Sequence, residues 1–137
     1  MNTMKIDGTC HCGFLKYEAE IDLDRTGICH CEDCQKFSGS DFRGFATAIE
    51  GTVKLLAGEP KRYEKVAASG NHNAMVFCPN CGTHIYSTGA EPGSKFFGIR
   101  WVTARQHREI RPKMNMFCRS AQDWVWDIGS LPKHEAG

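Results

Sequence analysis

The sequence predicts a mainly β domain whose antiparallel strands are held together by zinc sites, with few short helices. Three observations support this fold class. Short segments alternate between apolar and polar residues, helix signals are scarce, and seven of the eight cysteines lie in three tight clusters. The 137 residues suffice for one domain with one core. We expect that domain to span residues 1–131 and to be followed by a loose tail at 132–137.

The predicted strands come from period-two patterns and from runs of β-favouring residues between turn residues. In residues 15–21, Leu15, Tyr17, Ala19 and Ile21 alternate with charged side chains, which is typical of a strand with one buried face. The other predicted strands lie at residues 45–49, 53–56, 62–66, 74–77, 84–87, 96–102 and 113–117.

Two short helices are predicted. The first covers residues 32–37, directly after the second cysteine cluster, and ends at the Ser38-Gly39-Ser40 turn, where Gly39 can terminate a helix. The second lies near residues 103–107.

The net charge of +1 argues against a nucleic-acid or anionic-membrane partner, because such partners usually require a basic patch. The first residues lack the apolar segment of a secretory signal, and no apolar run approaches transmembrane length. We therefore expect a cytoplasmic protein that binds no membrane. In that compartment, clustered cysteines bind metal more often than they form disulfides.

Two cysteine pairs predict one closed zinc site. The segment 78–81 (CPNC), followed by Gly82, has the spacing of a zinc knuckle, in which a turn brings two sulfurs to one ion. Cys10 and Cys12 are flanked by glycines that can bend the chain and bring their sulfurs together. Four thiolates saturate a zinc ion, so this site should be structural. Four buried thiols without metal are the alternative.

The third cluster, Cys29, Cys31 and Cys34, predicts an open zinc site. Three thiolates leave one position for water, a substrate or another side chain. Such a zinc is a weak Lewis acid, so it suits the binding of another thiol better than the formation of hydroxide. His30 lies between two of the ligands and should point away from the metal. The candidate fourth ligands within the chain are His72, His84 and Cys118.

Several segments, taken in order, resemble the glutathione-dependent formaldehyde-activating enzyme family, also called S-(hydroxymethyl)glutathione synthase-like and including centromere protein V-like proteins. They are residues 8–13 (GTCHCG), 17–18 (YE), 29–34 (CHCEDC), 38–40 (SGS), 58–63 (GEPKRY) and 77–83 (FCPNCGT). The resemblance implies an Mss4-like fold. It also implies two zinc ions per chain, a structural one on Cys10, Cys12, Cys78 and Cys81 and a second one on Cys29, Cys31 and Cys34.

The family's founding activity joins the thiol of glutathione to formaldehyde, giving S-hydroxymethylglutathione, and is classed as a carbon–sulfur lyase from the reverse direction. The resemblance therefore implies a lyase-type enzyme with Cys29, Cys31 and Cys34 at its catalytic site and glutathione as co-substrate. The expected partners are a small-molecule thiol and an aldehyde; a homodimer remains open.

Two other functions also remain open. One is a non-catalytic module that binds zinc or thiols on the same fold. The other is a redox enzyme similar to methionine sulfoxide reductases, with Cys118 as its nucleophile. The redox alternative leaves three of the clustered cysteines unexplained.

Glutathione carries two carboxylates, so a glutathione site should contain cationic side chains, and guanidinium groups match carboxylates best. The candidates are Arg43, which follows the Ser38-Gly39-Ser40 turn, and Arg62 and Arg100, which lie on neighbouring predicted strands. The alternative for each arginine is a surface charge that favours solubility.

Overall fold

The computed structural model describes residues 1–137. Nine strands and one α-helix form its regular structure. The strands are β1 (Thr3–Thr9), β2 (Lys16–Cys29), β3 (Arg43–Ala48), β4 (Lys54–Ala57), β5 (Lys61–Val66), β6 (His72–Phe77), β7 (His84–Gly89), β8 (Phe97–Ile99) and β9 (Asn115–Met116). The helix α1 spans Glu32–Ser38, and four 3-10 segments lie at Trp101–Thr103, His107–Glu109, Cys118–Ser120 and Asp123–Ser130.

The strands form one sheet with the order β1-β2-β3-β8-β7-β6-β5, and β4 and β9 also pair with β2. Every pairing is antiparallel except that of β9 with the end of β2, where Ile28 lies opposite Asn115 and Cys29 opposite Met116. The predicted mainly antiparallel β fold is therefore confirmed. None of the helices has the length and apolar character needed to cross a membrane.

The longest strand, β2, connects the two cysteine-rich regions. Its 14 residues end at Cys29. Just before its first residue, Leu15 donates a backbone hydrogen bond to the sulfur of Cys10 at 3.2 Å. One strand therefore lies between a ligand of the predicted closed site and a ligand of the predicted open site.

The core is built from the inward faces of the central strands. Core side chains that are fully or almost fully buried come from both halves of the sheet. They include Leu15, Tyr17, Ile21, Val76 and Ile85. Cys10 and Cys78 belong to the same buried cluster. The predicted zinc knuckle is thus attached to the hydrophobic core through Cys78, while its turn lies at the surface.

All predicted strands overlap strands of the structure, but two are shorter than expected. The segment 96–102 pairs only over Phe97–Ile99 and then turns into the 3-10 segment at Trp101–Thr103. In 113–117 only Asn115–Met116 pairs. Strand β1 was not predicted, although Met4 and Ile6 alternate with Lys5 and Asp7 along it.

The first helix prediction is confirmed and the second is wrong. Cys31 caps α1 in an extended conformation, and Gly39 terminates it with a φ of 65°. Residues 103–107 form no continuous helix, because Thr103 ends one 3-10 segment and His107 begins another. Two separate 3-10 segments, Trp101–Thr103 and His107–Glu109, flank a turn there.

Candidate functional site

The closed site is assembled as the sequence predicts. The sulfurs of Cys10, Cys12, Cys78 and Cys81 all lie within 4.8 Å of one another. The Cys10–Cys12 and Cys12–Cys78 sulfur pairs are 3.6 and 3.7 Å apart. Four sulfurs at zinc–sulfur bond length around a tetrahedral ion are about 3.8 Å apart, so this donor set fits zinc without rearrangement.

Backbone geometry around the closed site favours thiolates. The amides of Asn80 and Cys81 approach the Cys78 sulfur at 3.4 and 3.5 Å, and Gly82 adopts a φ of 78° that the knuckle turn requires. The Thr83 hydroxyl lies 3.2 Å from the sulfur of Cys81 and lowers the pKa of that thiol to about 5. These donors therefore stabilise negative charge on the Cys81 sulfur, which favours the binding of a cation.

The open site is formed by the end of β2 and the start of α1. Cys29 is the last residue of β2, Cys31 is the helix N-cap, and Cys34 lies in the first helical turn. Their three sulfurs lie within 4.8 Å of one another. The amide of Cys34 donates to the Cys31 sulfur at 3.3 Å. The sulfur that caps the N-terminus of α1 is therefore also one of the three candidate metal ligands. This donor set also fits zinc and supplies three ligands.

Cys29 and Cys34 shift each other's pKa in opposite directions within this cluster. A hydrogen bond from the Cys34 thiol lowers the pKa of Cys29 to about 5, and the same contact raises the pKa of Cys34. The positive charge of Arg43 lowers the pKa of both thiols. The environment therefore stabilises negative charge on sulfur at this site.

A cavity of about 900 Å³ opens beside the three sulfurs. Cys29, Cys31 and Cys34 form part of its wall, whereas none of the closed-site cysteines lines it. Four cations face it, Arg25, Arg43, Lys65 and Arg119, of which Lys65 is paired with Asp33 at 2.6 Å. An open three-sulfur site is thus combined with a substrate-sized cavity and unpaired guanidinium groups.

The family model of the glutathione-dependent formaldehyde-activating enzyme matches residues 5–120, which contain both cysteine sites. The chain belongs to this family. A protein of Schizosaccharomyces pombe named as an uncharacterized lyase is 29% identical over 96 residues. The match covers 70% of this chain and 66% of the relative, just under two thirds of its length.

The fold of this family member is also found in a crystal structure of a Rhodobacter sphaeroides protein. The two chains superpose with a TM-score of 0.61 at 21% identity. The similarity covers 82% of this chain and 99% of the other. At this level of identity the comparison supports the fold alone.

None of the candidate fourth ligands in this family member completes the open site. No donor atom of His72, His84 or Cys118 lies within 4.8 Å of all three sulfurs. His84 stacks on Phe77 with ring centres 5.2 Å apart, and burial lowers the pKa of its imidazole. Cys118 is exposed and does not line the cavity. The chain therefore brings three sulfurs and no fourth donor together at the cavity wall.

His30 points away from the sulfurs, as expected. Its ring is fully buried, its Nε2 lies 2.9 Å from the side-chain oxygen of Asn115, and it packs against Trp126 at 5.2 Å. The amide of His30 donates to Met116. This residue anchors the cysteine loop to the C-terminal part of the family domain.

The three arginines proposed from sequence occupy different places. Arg43 lines the cavity, and its Nε is buried without a hydrogen-bond partner. Arg100 is only 6% exposed, lies behind the cavity wall and donates to the Gly98 carbonyl at 3.0 Å. Burial lowers the pKa of Arg100 to about 9. Arg62 is exposed, donates to the Ala90 carbonyl and does not line the cavity.

Two further cavity cations, Arg25 and Arg119, were not among the sequence candidates. Arg25 lies four residues before Cys29 in one strand, and this even spacing was a usable signal for a shared face. Arg119 reaches the cavity because β9 pairs with the end of β2, a long-range contact without a local sequence signal.

We expect Arg43→Gln to weaken glutathione binding by about 1.5–3 kcal/mol, the range of hydrogen bonds to charged groups. Binding of a small uncharged thiol such as 2-mercaptoethanol should change much less, because it has no carboxylate. Calorimetric titration of the zinc-loaded protein measures both. Arg62→Gln removes an exposed arginine outside the cavity and is the matched control. Equal affinities in Arg43→Gln and wild type would exclude a contact between Arg43 and glutathione.

Proposed function

We propose that this protein is a zinc-dependent carbon–sulfur lyase-type enzyme that joins the thiol of glutathione to an aldehyde at the open site. The observation that carries this proposal is the convergence of Cys29, Cys31 and Cys34 beside a cationic cavity of about 900 Å³. Membership of the formaldehyde-activating family supports it, and so does the similarity to the Schizosaccharomyces pombe protein named as an uncharacterized lyase.

Zinc bound by three thiolates would supply a position at which a substrate thiol loses its proton and becomes a nucleophile. Cys29 and Cys34 are buried and Cys31 is partly exposed, so a thiol approaches from the Cys31 side. Three cysteine thiolates carry more negative charge than one zinc ion neutralises. Arg43 beside the sulfurs and Arg100 behind the wall offset this excess and favour a further anionic sulfur.

The cavity cations suit the rest of glutathione. Arg43, Arg25 and Arg119 have no carboxylate partner within ion-pair distance, in contrast to Lys65. A ligand with two carboxylates supplies the missing counter-charges. Because these arginines face the same cavity as the sulfurs, they can orient the bound thiol while the aldehyde approaches.

A non-catalytic zinc module is the second candidate. This candidate explains the four-cysteine closed site equally well. A purely structural second site requires four ligands, however, and the chain supplies three there. The redox alternative requires Cys118 itself to face a substrate cavity. Phe117, Arg119 and Ser120 line the cavity, but Cys118 does not.

The proposal is tested by exchange NMR of glutathione with formaldehyde. The protein loaded with two zinc ions should accelerate interconversion of free glutathione and its S-hydroxymethyl adduct above the spontaneous rate. Cys118→Ser should show the same acceleration. A fully zinc-loaded protein that leaves the exchange rate unchanged both with formaldehyde and with a longer aldehyde such as hexanal would contradict the enzymatic proposal and favour the non-catalytic module.

A further inference from the structure

Large apolar side chains form one side of the cavity beside the open site. We call this surface the apolar wall; it consists of Phe45, Met75, Phe96, Met114, Met116 and Phe117. The same cavity contains the arginines described above, so it combines a cationic region with an apolar one. Methionine side chains adapt to the shape of a bound group, which suits a surface that contacts a flexible apolar ligand.

Backbone contacts hold the apolar wall in place. At Gly27, a Cβ atom would lie 2.8 Å from both the Met114 and the Phe45 side chains, so only glycine allows these two to pack over β2. The amide of Ile28 donates to the Met114 carbonyl at 2.9 Å. Packing and backbone hydrogen bonding therefore fix the positions of Met114 and Phe45 in the wall.

The edge of the apolar wall exposes aromatic rings at the cavity mouth. Phe96 is 48% exposed and Phe117 is 50% exposed. Phe117 also has a φ of 56°, a left-handed conformation that is unusual for a bulky residue and concentrates at functional sites. The guanidinium of Arg119 lies 5.9 Å from the centre of the Phe117 ring, so the two regions of the cavity meet at this edge.

Neither glutathione nor formaldehyde matches the apolar wall. Formaldehyde has no carbon substituent, and glutathione outside its sulfur is mostly charged groups and amides. The volume of about 900 Å³ also lies near the upper end of small-molecule sites, which span roughly 300–1,000 Å³. The arginines can pair with the carboxylates of glutathione, but neither glutathione nor formaldehyde has an apolar group that would contact the wall.

We propose that the aldehyde used at this site carries a bulky apolar substituent, an alkyl chain or an aryl ring, which packs on the apolar wall. This inference rests on the proposed function, because it concerns the second substrate of the same site. In the reaction, the sulfur of glutathione forms a bond to the carbonyl carbon and the carbon–oxygen π bond breaks. The proton lost by the thiol ends on the new hydroxyl by way of solvent, so no oxidant or reductant is needed.

The binding of S-alkylglutathiones tests the proposal, because these stable thioethers carry the apolar group where the adduct would carry it. Calorimetric titration of the zinc-loaded protein compares S-methylglutathione with S-hexylglutathione. We expect the hexyl derivative to bind about 10-fold or more tightly, since every further methylene taken out of water favours binding.

Two exposed aromatic residues serve as the variant and its control. Phe96→Ser should reduce the preference for the hexyl group to less than about 3-fold, because it removes a ring at the cavity edge. Tyr63→Ser removes an exposed ring that does not line this cavity and should keep the full preference. Unfolding is monitored by thermal melting, and Met116→Ser provides a second change in the same wall.

The outcomes separate this proposal from the function on which it rests. If glutathione and S-methylglutathione bind but the hexyl group adds no affinity, the apolar aldehyde is ruled out and thiol addition stands. A hexyl preference that survives in both Phe96→Ser and Met116→Ser also overturns it, since the wall would not be the site. If glutathione itself does not bind to the zinc-loaded protein, the proposed function and this inference fail together.

Discussion

Replacing Cys81 by alanine should unfold the protein at moderate temperature. The closed site joins residues 10–12 to residues 78–81 at the edge of the hydrophobic core, so a bound metal would stabilise contacts between distant segments. Structural zinc contributes on the order of 10 kcal/mol of folding free energy in small zinc domains. Since typical domains have only about 5–15 kcal/mol of stability, loss of one ligand should remove most of it.

Thermal melting with and without a chelator measures this effect. Wild type should lose most of its thermal stability when the chelator removes zinc, and Cys81→Ala should resemble the chelated wild type in either condition. Cys118→Ala is the control because it removes an exposed thiol outside both clusters. A Cys81→Ala protein that melts within a few degrees of wild type would show that the closed site is not structural.

Replacing Cys31 by serine should abolish thiol binding and aldehyde addition while the fold survives. Serine is a favoured helix N-cap, so the hydrogen bond from the Cys34 amide that now reaches the Cys31 sulfur can be kept. A zinc ligand is nevertheless lost, and the remaining two sulfurs hold the ion weakly. The open site involves one local segment, in contrast to the closed site.

Metal analysis, melting and calorimetry together test this expectation. We expect two zinc ions per wild-type chain and one in Cys31→Ser, a melting temperature close to wild type, and at least a 100-fold loss of glutathione affinity, equivalent to about 2.7 kcal/mol. Cys118→Ser should match wild type in all three measurements. Unchanged glutathione affinity in Cys31→Ser would place the thiol site elsewhere, and collapse of its fold would make the second zinc structural.

The convergence of both cysteine clusters could be predicted from the sequence because cysteine spacing is itself a geometric constraint. A Cys-x-x-Cys turn with a following glycine, or three thiols within six positions, brings sulfurs together whatever surrounds them. The strands were equally accessible where alternation was clear, as in residues 15–21. Strand β1 was missed although Met4 and Ile6 alternate with Lys5 and Asp7, because the pattern is short and its next inward position is a glycine.

The cavity itself could not be predicted, because its walls come from segments that meet only in three dimensions. Met114, Met116 and Arg119 reach the open site through the pairing of β9 with β2, which has no local sequence signature. Arg62 and Arg100 illustrate the same limit. Arg62 lies on the edge strand β5 and is exposed away from the cavity, whereas Arg100 directly follows the inner strand β8 and is buried behind the cavity wall.

The two metal sites differ in how much chain must come together to form them. The open site needs only the six residues from Cys29 to Cys34, whereas Cys12 and Cys78 are separated by 66 positions. Closing the longer loop costs more conformational entropy, and its last ligands leave the ribosome later. A nascent chain can therefore bring the three sulfurs of the open site together before the four sulfurs of the closed site can meet. When zinc is scarce during synthesis, we therefore expect the closed site, and not the open site, to be the one left without its ion.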